Sequence, residues 1–314
     1  MNNFSMTFVK FVLVAFLLLH VFLTGCSGTG KPYISAARLT ALEHNNRGIE
    51  AEARGSRELA HSEFSTALQL SSSIDDTDGT IVALLNLSRL SRRLNTLPIA
   101  ESYLRRAQSK TADAQGRIGD VAVEETLLLL AQGETVSAKN SALRAVEHST
   151  AANRASCYNL LARVDHLLGD AVGAEHNARR ALGALTGEAD RVEAANAYRL
   201  LGELAMAAGR NETAAQSFKE ALTRDKEAGL SPRIASDLRF LARLAKASGN
   251  LPEAINYLHR AFEVSLNGGN NKAALEDLSS MIEICQLSGD TAQAVALESQ
   301  RQKLLGEDSD AVSR

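Results

Sequence analysis

The chain has 314 residues, 45% of them apolar, with 4% aromatic, four Pro, no Trp and a net charge of −3. That length admits two ordinary domains or one repeat array. A compact sheet-containing domain spends more on aromatic and β-branched residues, and so small a charge, without long single-sign runs, offers no global field to nucleic acid or an anionic membrane surface.

The N-terminus reads as a targeting segment. Lys10 precedes an apolar run, Phe11 to Leu23, broken only by His20. The run is too short for the roughly 20 residues that span a bilayer and has the length of a secretory h-region. Leu23-Thr24-Gly25-Cys26 follows at once. This tetrad resembles the lipobox of bacterial lipoproteins, which implies cleavage after Gly25 and a covalent lipid on Cys26; an ordinary signal peptide or an uncleaved anchor is the other reading. Two or more acyl chains hold a protein stably on a membrane. The resemblance therefore divides the chain into a signal peptide at 1–25 and a lipidated Cys with a flexible tether at 26–35. Ser27, where an Asp would mark inner-membrane retention, points to the outer membrane facing the periplasm. Ser27 to Pro32 is small and polar and spans at most roughly 20 Å.

Beyond the tether one pattern recurs. Leu200, Leu201, Leu204 and Ala205 form an apolar face at helical spacing, Gly209 interrupts, and Ala214, Phe218, Ala221 and Leu222 form a second face. Aligned on the interruption, the copies fall at Gly55, Asn95, Gly133, Gly169, Gly209, Gly249 and Gly289, a period near 40 residues. Ala follows five residues later in all seven copies, from Ala60 to Ala294, and twelve residues later in six, with Arg301 replacing it in the last. Small residues at fixed positions let antiparallel helices approach closely. Between the two Ala positions lies a larger slot, filled by Phe64, Leu104, Ala142, Ala178, Phe218, Leu258 and Glu298. Ala142 and Ala178 predict poorly filled slots in units three and four, and Glu298 with Arg301 predicts a polar terminal cap.

Gly202, Gly209, Ala214, Phe218 and Ala221 sit where the tetratricopeptide repeat has its conserved-type Gly, turn Gly, Ala, aromatic and Ala, so the chain resembles that family. The resemblance implies an all-α, right-handed superhelical solenoid of about seven helix-turn-helix units over 36–304, near 41–74, 81–114, 119–152, 155–188, 195–228, 235–268 and 275–304, with a disordered tail at 305–314. The usual period of that family is 34. Longer helices, together with longer polar turns between units such as Ser71 to Gly79, would absorb the difference.

No residue pattern argues for catalysis, a metal or a cofactor other than the lipid. Cys157 and Cys285 lie three units apart, beyond disulfide reach, and read as buried small hydrophobes. His166 and His176 lack a ligating motif. The family resemblance places ligands on the concave face lined by first helices. Positions ten and six residues before each turn, with close neighbours, give Arg89, Arg92, Arg93, Asn159, Arg163, Arg199, Glu203, Arg239, Arg243 and Lys246 as groove residues. The set is richer in base than acid and would suit a protein partner with an acidic or polar segment. The alternation Arg163, Glu203, Arg243, Glu283 equally fits an inter-repeat charge ladder. The expectation is a membrane-anchored periplasmic scaffold or adaptor, serving an envelope, pilus or secretion complex; a self-associating structural protein and an enzyme-regulating subunit are the alternatives.

Overall fold

The computed structural model describes residues 35–187 and 190–312. The signal segment, Cys26 and the tether as far as residue 34 lie outside the described residues. Ser35 caps the first helix, its side chain accepting from the Arg38 backbone N–H at 3.2 Å.

Among the described residues there are fourteen α-helices and no strand. They pair into seven hairpins: α1 (Ala36–Ala53) with α2 (Arg57–Ser73), α3 (Thr77–Arg93) with α4 (Leu97–Gln108), α5 (Ile118–Gln132) with α6 (Thr135–Glu147), α7 (Arg154–Leu167) with α8 (Ala171–Gly183), α9 (Arg191–Ala207) with α10 (Asn211–Glu227), α11 (Ser231–Ala247) with α12 (Leu251–Asn267), and α13 (Asn271–Ser288) with α14 (Thr291–Val312). Each helix packs on its sequence neighbours, giving a helical solenoid. The first helices begin slightly before the expected unit starts. The last helix runs through Val312, past the boundary expected at 304, because the segment after Leu304 holds no Pro to stop it.

All seven turn residues adopt positive φ, including the non-glycine Asn95 at 58°. Each closes a Schellman-type turn. In unit five the Arg210 N–H donates to the Ala205 carbonyl at 2.9 Å, so an otherwise orphaned helix-end acceptor is satisfied.

The expected longer turns between units are absent from the regular parts of the array. The polar stretch Ser71 to Gly79 is mostly helix, and Asp75, Gly229 and Gly269 make the same positive-φ turn between units that the others make within them. There the Asp76, Leu230 and Asn270 N–H groups donate to Ser71, Asp225 and Ser265. The extra residues instead extend the helices, which reach 17 residues from α9 to α12. Longer connections occur only after α4, α6 and α8, where the helices shorten to 12 or 13 residues.

The repeated alanines carry the packing. Ala60, Ala100, Ala138, Ala174, Ala214 and Ala254 are wholly buried, as are the six of the second row from Ala67 to Ala261. The slot between the rows is matched by the facing first helix. Phe64 and Phe218 pack on Gly48 and Gly202, where a Cβ would meet the ring at 2.4 and 2.6 Å. At the same register Leu104 is met by Ser88, Ala142 by Thr126 and Leu258 by Ala242, all buried. In units two and six, as in units one and five, the small residue stands on the first helix and the large one on the second. Units three and four carry small residues on both, Thr126 with Ala142 and Ala162 with Ala178, all buried. In the last unit Glu298 pairs with Arg301 at 2.8 Å on the outer side, leaving Ala294, Leu297 and Leu304 to face the core.

Candidate partner-binding groove

The first helices of successive units line one groove. A concavity of about 820 Å³ extends from Arg93 on α3 to Arg233 on α11, with Val123, Leu127, Asn159, Arg163, Arg199 and Glu203 on its walls. Arg239, Arg243 and Lys246 line a second hollow of about 450 Å³ against α13. A groove side chain must sit on the helix surface turned away from its own hairpin partner. The positions ten and six residues before the turn satisfy that condition in units three to five.

The charges on these walls are mostly engaged. Arg199 Nε donates to Asp237 on α11 at 2.7 Å, and its Nη2 donates to Asp225 on α10. Both aspartates are fully buried and the arginine side chain is only 15% exposed. The next unit repeats the device. Arg239 donates from Nε and Nη2 to the two oxygens of Asp277 at 2.6 and 2.7 Å, and from Nη2 to Ser265 Oγ at 2.8 Å. Near the other end, Arg92 forks onto Glu124 at 3.0 and 3.1 Å, and Arg93 reaches back to Glu52 at 2.8 Å. Asn159 donates to the Glu193 carboxylate at 2.7 Å, and Arg89 to Asn86 at 3.5 Å.

The expected excess of base is therefore largely cancelled by Glu124, Asp225, Asp237 and Asp277. None of the four stands at the register ten or six residues before a turn, and all of them pair across units or helices, Asp277 also bordering the second hollow. A signal for them existed: Arg199 and Arg239 lie one period apart, and so do Asp237 and Asp277. The inter-repeat ladder also forms one step away from where it was expected. Arg163, Glu203, Arg243 and Glu283 do not pair with one another. Instead Glu203 stands 3.9 Å from His166, and Glu283 accepts from Lys246 at 2.9 Å. Arg243 stacks over the Phe240 ring at 4.3 Å. Arg163 and Arg243 remain exposed, and neither meets a carboxylate among the described residues.

Burial sets the protonation of the acids. It pushes the Asp237 carboxyl up to about 6 despite Arg199, with Asp225 adding repulsion. Burial likewise raises Asp277 against the pull of Arg239, and Glu203 against that of His166, Arg199 and Arg243. Cys157 and Cys285 are free and buried, and burial pushes the Cys157 thiol up to about 11. Among the described residues no cluster of His, Cys, Asp or Glu is arranged to hold a metal ion, and no helix is long and apolar enough to cross a membrane.

Residues 193–267, spanning units five and six, match the tetratricopeptide repeat family. The other hairpins keep the turn and alanine register of that stretch. Three solved structures share the fold. PilW, a widely conserved type IV pilus biogenesis factor, is 18% identical over 74% of this chain and 96% of its own, with a TM-score of 0.56. The apo form of RapI is 13% identical over 85% and 77%, with a TM-score of 0.68. A Rap protein complexed with competence and sporulation factor is 15% identical over 86% and 78%, with a TM-score of 0.58. At such identities the likeness is one of fold. No curated protein matches the chain.

Proposed function

We propose that the chain is a scaffold that holds a segment of a protein partner in the groove of its tetratricopeptide array while a lipid on Cys26 keeps it at the periplasmic face of the outer membrane. The observation that carries the binding half is the groove itself. It is about 820 Å³ in size and keeps Arg163 exposed on its wall while its neighbours are engaged in inter-unit pairs. Its chemistry changes along its length. In unit one Leu39, Leu42 and Ile49 stand, about half exposed, at the register that Glu193, Asn196 and Glu203 hold in unit five. Val123 and Leu127 continue the apolar wall into unit three. A partner segment fits when its apolar residues lie towards units one to three and its carboxylates towards Arg163 and Arg243. The likeness to PilW, named for type IV pilus biogenesis, and to a Rap protein solved with a bound factor supports a role in assembling an envelope, pilus or secretion complex.

The anchoring half rests on Leu23-Thr24-Gly25-Cys26 after the apolar run. The test is crosslinking in intact cells with the wild-type chain, Cys26→Ala and Arg163→Glu. The expected result is one recurrent partner crosslinked to the wild type, weakened by Arg163→Glu, and a Cys26→Ala chain that leaves the membrane fraction with unchanged helical content. Retention of Cys26→Ala with membranes would overturn the anchor. Undiminished crosslinking by Arg163→Glu would overturn the groove.

A further inference from the structure

Arg199, Asp225 and Asp237 come from three helices, α9, α10 and α11, that meet where unit five packs on unit six. One guanidinium serves two carboxylates that are both sealed from solvent. Asp225 Oδ1 and Asp237 Oδ2 have no hydrogen-bond partner. Among the described residues no second cation pairs with either aspartate. Arg233 on α11 donates to Asn196, Arg224 on α10 pairs with Glu227, and Arg239 on α11 is held by Asp277. Glu203 on α9 faces His166. The charged groups that act on Asp237 are Arg199 and Asp225. With both aspartates ionised, the junction would bury one uncompensated negative charge, which a low-dielectric site disfavours.

The neighbouring junction is an internal control. Arg239 occupies the place of Arg199, and Asp277 the place of Asp237, while Ser265 stands where unit five has Asp225. One arginine, one aspartate and a hydroxyl leave no surplus charge. The two junctions share their geometry and differ by one carboxylate.

We infer that the junction between units five and six is a proton-binding site, in which Asp237, facing the second buried carboxylate Asp225 across Arg199, takes up one proton and thereby tightens the groove wall at mildly acidic pH, whereas the junction between units six and seven, with no surplus carboxylate, responds less. The raised carboxyl of Asp237 agrees with this, since its proton is held up to about pH 6. A carboxyl raised in the folded state makes the folded chain bind more protons than the unfolded one. Its contribution to stability is therefore present at low pH and lost as the pH rises through about 6. Arg199 lines the groove, so the change lies at the wall that a partner would meet.

The experiment compares the purified full-length chain with Asp225→Ser and Ser265→Asp by thermal unfolding and site-resolved hydrogen exchange at pH 5.0 and 7.5. In the wild type, amides of α9 to α11 should exchange roughly tenfold faster at pH 7.5 than at pH 5.0 after correction for intrinsic rates, since a one-proton linkage changes stability about tenfold per pH unit between the ordinary carboxyl range and the raised value near 6, and no further above it. Asp225→Ser should reduce that difference several-fold, to that of the neighbouring junction, and Ser265→Asp should enlarge the difference at α11 to α13. A pH difference that is undiminished in Asp225→Ser overturns the inference. So does loss of folding of that variant at both pH values, because the inference makes Asp225 dispensable to the fold.

Discussion

The ring of Phe218 lies against Gly202 so closely that a Cβ on the glycine would stand 2.6 Å from ring Cε1. Helix α9 can approach α10 at this level because one partner has no side chain, and Phe64 over Gly48 repeats the arrangement. In unit six the same two positions hold Ala242 and Leu258, again the small residue on the first helix and the large one on the second. Gly202→Ala should therefore destabilise the chain by about 1–3 kcal/mol through overpacking. Adding Phe218→Leu should recover part of that loss. A thermal double-mutant cycle reads the coupling, and strictly additive effects would contradict the packing account.

Reversing charge along the groove should separate structural arginines from exposed ones. Arg199→Glu leaves Asp225 and Asp237 buried without their cation, a change that costs about 3–5 kcal/mol where a buried pair is broken. Arg239→Glu should behave alike through Asp277. Arg163→Glu, on an exposed side chain without a carboxylate partner, should change stability by no more than about 0.5 kcal/mol. Thermal melts of the three variants provide the comparison. Equal destabilisation would mean that Arg163 has a structural partner in solution.

The positive-φ turns should be intolerant of branched residues. Gly209 has φ 70°, and Gly209→Val places a β-branched side chain in the left-handed region at a cost of about 1–2 kcal/mol. Asn95→Gly, at φ 58°, should leave stability unchanged or slightly raised, because the native residue already carries the lesser strain. Denaturant unfolding of both variants tests the pair.

The two buried thiols should be inert in the folded chain. With the Cys157 thiol pushed up to about 11 by burial and Cys285 raised by the same cause, little thiolate exists at pH 8. Mass spectrometry after brief alkylation should find both unmodified natively and both modified in denaturant. Native labelling of Cys157 would show that α7 opens readily.

The hairpins, their period and their turn residues were legible because each depends on local chemistry. A turn that needs φ above zero selects Gly or Asn, and two helices that nearly touch select Ala, so Gly209, Ala214 and Ala221 announce themselves at fixed spacing. The seating of the Phe64 and Phe218 rings on Gly48 and Gly202 was not legible, since it links two helices through a register that only packing reveals. The groove positions were legible as positions but not as charges. Arg199, read alone, is a cation on a concave face; in the structure it is one corner of a buried cluster completed by residues 26 and 38 positions later.

By itself, the amino-acid order determined an all-helical repeat array, because apolar periodicity, small-residue rows and left-handed turn residues are each selected within a few residues of chain. The tertiary structure alone decided which arginines are occupied, which glycines lie under a ring, and where one carboxylate too many is buried. Those outcomes depend on distances between helices brought together from different units, and burial turns such distances into the protonation and stability of Asp237.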